Sequence, residues 1–255
     1  MLARQKRIVH GRIERCVIAA IGITVAAMLP LGPSSASAAS SKHVTAPALL
    51  KDACNATLAA PAFRAQGQIS QRSRAMSVDA YFGSGGALLS VTQHGDQTFN
   101  VITNGHSTYM KANQPFWQSV TKNSGAAALG ADRWFDVTSD KKDFADFAKS
   151  VNKKALLSTC GKGWSIAYVG TATVNGLKAI KIHETASQES DTYYIESGAT
   201  PYILRFTGSP SQKNNGDLVF SDYGVQPDTS APPGAIPFSD FGSTGSTGST
   251  GNTGN

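Results

Sequence analysis

The sequence predicts an α+β domain built on one broad antiparallel sheet. Three observations carry that prediction. Residues 63–110 hold five short strand-like runs joined by tight turns. A second set of such runs occupies residues 164–221. Between the two sets lies an amphipathic segment, residues 141–159. Strands this close in sequence leave no room for helical crossovers, so each set reads as an antiparallel meander. Helices between two strand runs fold over one face of the sheet, and a strongly curved sheet then encloses a cavity beneath them.

At the N-terminus, Arg4, Lys6, Arg7, Arg12 and Arg15 stand against a single acid, Glu14. Residues 16–29 form an apolar run, followed by the small-residue stretch Ser34-Ser-Ala-Ser-Ala38. Charged head, short apolar middle and small-residue end define a secretory signal peptide over residues 1–38, with cleavage near Ala38. The alternative is a retained anchor, but the run falls short of the about 20 residues a bilayer span needs. The leader's only cysteine, Cys16, stands at the start of the apolar run, so no lipid-acylation site follows the run. The expected location is secreted or associated with the cell envelope.

The mature chain is nearly neutral. The leader takes five of 23 Lys/Arg and one of 17 Asp/Glu, leaving 18 basic against 16 acidic residues, a net +2. No nucleic-acid-binding pattern is present, and nucleic acid is not an expected partner. Lys141, Lys142, Lys153 and Lys154 fall on one predicted helix and read as its solvated face, with an anionic membrane surface as the alternative use. Cys54 and Cys160 alone survive cleavage, and in an oxidising compartment they are most simply a disulfide; the alternative is two separate buried thiols.

The elements follow in order. A first helix is predicted over 47–60, with Thr45 or Ala46 near its N-cap, Pro47 at N1 and Leu49, Leu50, Ala53 and Leu58 facing inward. The five strands are 63–69, 77–82, 87–91, 98–102 and 107–110, with Gly83-Ser-Gly-Gly86, His94-Gly-Asp96 and Asn104-Gly105 as later turns. A short helical piece at 114–122 carries Phe116 and Trp117, and a strand at 133–137 leads to the central helix. That helix has Asp140 as N-cap, a stripe of Phe144, Phe147, Ala148, Val151 and Ala155, and Gly161 beyond its C-terminus. Strands at 164–169, 171–174, 177–182, 192–195, 202–206 and 217–221 complete the sheet, with Asn175-Gly176 as a hairpin turn. Residues 39–241 therefore read as one domain. The Gly-Ser-Thr repeat of residues 242–255 reads as a flexible tail, since it has no apolar group to offset the entropy of ordering.

Several phrases in this order carry a family resemblance. They are Asn104-Gly-His-Ser-Thr-Tyr-Met-Lys111, Phe116-Trp117, Arg133-Trp-Phe-Asp-Val137, Asn175-Gly-Leu-Lys-Ala-Ile-Lys-Ile182, Tyr193-Tyr-Ile-Glu-Ser-Gly198, Thr200-Pro-Tyr-Ile-Leu-Arg-Phe206 and Leu218-Val-Phe-Ser-Asp-Tyr-Gly224. Over residues 48–241 the chain resembles the LolA-like superfamily, and within it the LppX/LprG-type actinobacterial lipoproteins. It departs from them in lacking the lipobox cysteine. The resemblance implies a curved antiparallel sheet forming a half-open barrel, with helices over its concave face closing a hydrophobic cavity. It also implies a carrier or sensor of acylated molecules rather than an enzyme.

The physics of such a site asks for apolar wall area and no reactive centre. Each buried CH₂ is worth about 0.8 kcal/mol, so a long acyl chain gains on the order of 10 kcal/mol gross. Val78, Phe82, Leu89, Val91, Phe99 and Val101 are the expected wall, and Phe116, Trp117, Phe144 and Phe147 the expected lid. The bland alternative is that the same residues form an ordinary filled core.

Catalytic motifs are thin. Ser119-Val-Thr-Lys122 and Ser150-Val-Asn-Lys153 match Ser-x-x-Lys without its companion elements. His94 and His106 fall at turns, and no zinc-ligand spacing involves them or His183. Asp140, Asp143 and Asp146 are explained by capping and the helix dipole. No catalytic residue, metal or cofactor is expected. The expected ligand is a lipid or acylated molecule, with a membrane surface or envelope protein as a further partner. A sensor or scaffold that binds a protein partner is the alternative, and a hydrolase with an unrecognised arrangement a more distant one.

Overall fold

The computed structural model describes residues 44–71, 74–138, 151–162, 165–186, 189–208 and 214–241. The predicted leader and the Gly-Ser-Thr repeat lie outside these residues.

Helix α1 (Ala46–Ala59) starts where Thr45 accepts a hydrogen bond from the Ala48 amide (3.4 Å), with a proline in its first turn. It buries Leu50, Ala53, Cys54 and Thr57. Strands β1 (Phe63–Gln71), β2 (Arg74–Phe82), β3 (Ala87–Gln93), β4 (Gln97–Thr103) and β5 (Thr108–Ala112) form the first meander. Two short helices follow, α2 (Gln114–Thr121) and α3 (Ser124–Gly130), capped by the side chains of Asn113 and Asn123. Next come β6 (Trp134–Asp136) and the single-turn helix α4 (Lys153–Leu156). The second meander is β7 (Ser165–Val174), β8 (Leu177–Ala186), β9 (Glu189–Glu196), β10 (Ile203–Gly208) and β11 (Asn214–Ser221). A two-residue strand β12 (Ile236–Pro237) and a 3₁₀ turn (Phe238–Asp240) complete the described chain.

The twelve described strands belong to one sheet, in the order β12-β6-β5-β4-β3-β2-β1-β11-β10-β9-β8-β7. The two meanders join at the centre, where β1 pairs antiparallel with β11. One face carries the main core. Phe63 and Ala65 of β1, Ala80 and Phe82 of β2, Phe99 and Val101 of β4, and Ile182 and Ile195 of the second meander alternate onto it, as a period of two requires.

The expected curved half-open barrel is corrected by this ladder. The sheet is open: the order runs from β12 to β7, and these edge strands do not pair with each other. It is also mixed, because β12 runs parallel to β6. Sheets bend toward closure at bulges and glycine kinks. Among the described pairings, register shifts occur only at Tyr168/Gly170 and Ile203/Arg205, both in the second meander.

The central helix needs a second correction. A continuous helix over 141–159 is broken at Asn152, whose backbone is extended (φ −152°, ψ 160°) and whose side chain caps the Ala155 amide at 3.0 Å. Asn offers the backbone this local alternative to helix. Only residues 153–156 are helical in the described part, and Gly161 (φ +70°) sits in a later turn. Residues 139–150, with Asp140, Phe144, Phe147 and Ala148, lie outside the described residues.

The disulfide is present. Cys54 and Cys160 are bonded, with Cα atoms 6.1 Å apart across a separation of 106 residues.

Candidate functional site

A cleft of about 660 Å³ opens at one end of the first meander, where the β2–β3 and β4–β5 turns meet the start of α4. Each wall is built by local chemistry. The β2–β3 turn closes through the Gly83 amide donating to Gly86 O (2.8 Å), and the Ser84 amide donates to Gln226 Oε1 (3.2 Å). Only glycine fits at position 86, because a Cβ there would stand 1.8 Å from the Thr103 carbonyl oxygen. In the β4–β5 turn Asn104 Oδ1 accepts from the amides of His106 (3.2 Å) and Ser107 (2.8 Å), an Asx turn that holds Gly105 and His106 outward.

The opposite wall is residues 151–154, and three ties hold the segment 151–162 to which they belong. Lys153 Nζ donates to Ala60 O (2.5 Å) and Pro61 O (3.0 Å) at the C-terminus of α1, where a cation complements the helix dipole. Partial burial pushes the pKa of this ammonium down. The disulfide to Cys54 is the second tie. In the third, the Gly161 amide donates to Glu184 Oε2 (3.2 Å). Glu184 is buried in β8, and its hydrogen-bonded neighbour Tyr193 has a phenol pKa raised chiefly by burial, with Glu184's charge adding to it.

Inside the cleft, Leu58, Phe82, Ala87 and Val151 present apolar surface. Hydroxyls and an amide come from Ser84, Thr103, Ser107, Thr108 and Asn152. Among the described residues the lining carries Lys153, Lys154 and His106 and no Asp or Glu. Such a surface binds by burial and charge; among the described residues no three His, Cys, Asp or Glu side chains gather to hold a metal.

The residues singled out from the sequence distribute as follows. Phe82 lines the cleft. Val91, Phe99, Val101, Phe116 and Trp117 are buried in the main core, and Val78 and Leu89 are half-buried against it. Phe116 and Trp117 join an aromatic cluster with Phe99, Phe135, Phe238 and Phe241, with centroid separations of 4.7–6.1 Å. Phe144 and Phe147 lie outside the described residues. Sequence reasoning passed over the turn and α4 residues that shape the cleft. The available signal was Gly83-Ser-Gly-Gly86, longer and richer in glycine than a two-residue hairpin turn requires.

No family model matches the sequence, and no curated protein matches it significantly. Solved structures do match. LprF from Mycobacterium bovis aligns with a TM-score of 0.51 at 14% identity, over 73% of this chain and 96% of that chain. The lipoprotein LppX from Mycobacterium tuberculosis aligns at 0.47 and 14% identity, over 72% of this chain and 97% of that one. The likeness to LprF is one of fold, and it supports the LolA-like resemblance at that level.

Proposed function

We propose that this chain is an exported, non-enzymatic carrier of a lipid or acylated molecule. The observation that carries the reading is the apolar lining of the cleft: Phe82 belongs to the main core and Leu58 packs against it, so the cleft is continuous with that core. The family resemblance in the sequence and the fold shared with LprF point the same way. About 660 Å³ lies within the roughly 300–1,000 Å³ of small-molecule sites. Beyond the cleft, Val78 and Leu89, which pack against the same core as Phe82, are only half-buried. Binding of this kind needs no reaction at the site.

Titration with a fluorescent fatty acid, cis-parinaric acid, tests the reading. Saturable binding displaced by unlabelled fatty acid is expected. Leu58→Glu, which sets a charge in the apolar wall, should weaken it about tenfold or more. Folded protein that gives no saturable binding would overturn the proposal.

A second reading, a scaffold for a protein partner, is favoured by strand β7. It is an edge strand with no charged residue or proline over its ten positions, and Tyr168 and Val169 are about half exposed. Such an edge is a template for an added strand. Recovery of a stoichiometric protein partner, released by Thr171→Pro, would favour this reading.

A further inference from the structure

Two nitrogen-bearing side chains at the cleft mouth, Lys154 and His106, have no partner among the described residues. Lys153 is committed to the carbonyls that end α1. Its neighbour Lys154 is exposed, and so is His106 on the facing turn. Neither side chain forms a hydrogen bond or ion pair with a described residue. The outer face of the sheet pairs its arginines differently. Arg64 makes a two-point contact with Asp79 (2.7 and 2.6 Å), and Arg205 does so with Asp217 (2.8 and 2.5 Å). At the cleft, by contrast, no described Asp or Glu lines the wall, and Ser84 and Ser107 add hydroxyls on the turns facing Lys154.

We infer that the cleft selects an amphiphile whose head group is a phosphate, held at the mouth by Lys154 and His106, with its chain against Leu58, Phe82 and Val151. The inference rests on the carrier reading and deepens it. A neutral head group of the same chain length would leave the Lys154 ammonium solvated and gain only the chain's burial. A phosphate supplies several acceptors to the donors already there, and hydrogen bonds to charged groups are the stronger class. Free phosphate carries the same head-group chemistry and none of the apolar area.

The test is displacement of cis-parinaric acid from the full, processed protein by three probes: oleoyl-lysophosphatidic acid, monooleoylglycerol and inorganic phosphate. The lysophosphatidic acid should compete about tenfold better than the monoacylglycerol. Lys154→Gln should remove most of that gap, and the exposed, distant Lys178→Gln should leave it intact. Added salt should narrow the gap. Inorganic phosphate should not displace the probe. Equal competition by the two lipids, or a gap that survives Lys154→Gln, overturns the head-group inference and leaves the carrier reading standing. Failure of both lipids to compete overturns both. Displacement by inorganic phosphate alone assigns a free-anion site and overturns the amphiphile.

Discussion

Lys153 and Lys154 are adjacent and chemically identical, and the fold gives them opposite work. Lys153 lines the cleft with its ammonium on two carbonyls and 5.7 Å from the centroid of Phe63. Lys153→Met should therefore lower stability by about 1–2 kcal/mol, read as a reduced urea midpoint with unchanged slope, while Lys154→Met should fall within about 0.5 kcal/mol of wild type. The sequence places both on a solvated helix face, because the acceptors of Lys153 lie 92 and 93 residues away. Gly86 is the other residue whose role is local to the cleft. Gly86→Ala should cost about 2–4 kcal/mol, seen as a lower melting temperature, since its Cβ would have to displace the Thr103 backbone. That glycine was legible as a turn residue, but its close approach to β4 was not.

Elements with local signals are read well from the sequence. Helix α1 is misplaced by one residue at each end, and Thr45 caps it. Asn175-Gly176 adopts the positive φ values (51° and 80°) that a primed hairpin turn requires. Elements whose pattern depends on distant partners are read poorly. Strand β12 has two residues and exists through its parallel pairing to β6, about 100 positions earlier in the chain. Helix α3, Ser124–Gly130, is alanine-rich and lacks an apolar stripe of its own; it is defined by the Asn123 cap and by contact with α2 and Phe241. Gly130 lets that contact form, because a Cβ there would stand 2.3 Å from the Phe241 ring. Gly130→Ala should therefore destabilise by about 1–3 kcal/mol in chemical denaturation, although alanine is the better helix former. The break at Asn152 shows the limit from the other side. Phe147, Val151 and Ala155 have helical spacing, yet one asparagine able to cap Ala155 sets the start of α4 there.

At the scale of the molecule, the α+β class was legible, because two meanders separated by helical segments leave few other arrangements. The closure of the sheet was not. Curvature depends on bulges and register, and only Gly170 marks one of the two shifts in the sequence. Cys54–Cys160 was legible from compartment and count, and it fastens α1 to the segment that walls the cleft. The chain-entropy model assigns a loop of this size about 4–5 kcal/mol, so the double variant Cys54→Ser/Cys160→Ser should melt well below wild type in non-reducing buffer and match reduced wild type. Of the expected wall only Phe82 reaches the cleft, since the spacing of apolar residues reports which face is inward and not where packing stops. The central claim is that the cleft and its adjoining core hold an acylated ligand. Native mass spectrometry with solvent extraction, on protein purified from its own host, tests it most directly. A defined acylated adduct on the folded protein is the predicted result, and a bare mass that stays unchanged after incubation with host lipid extract would contradict it.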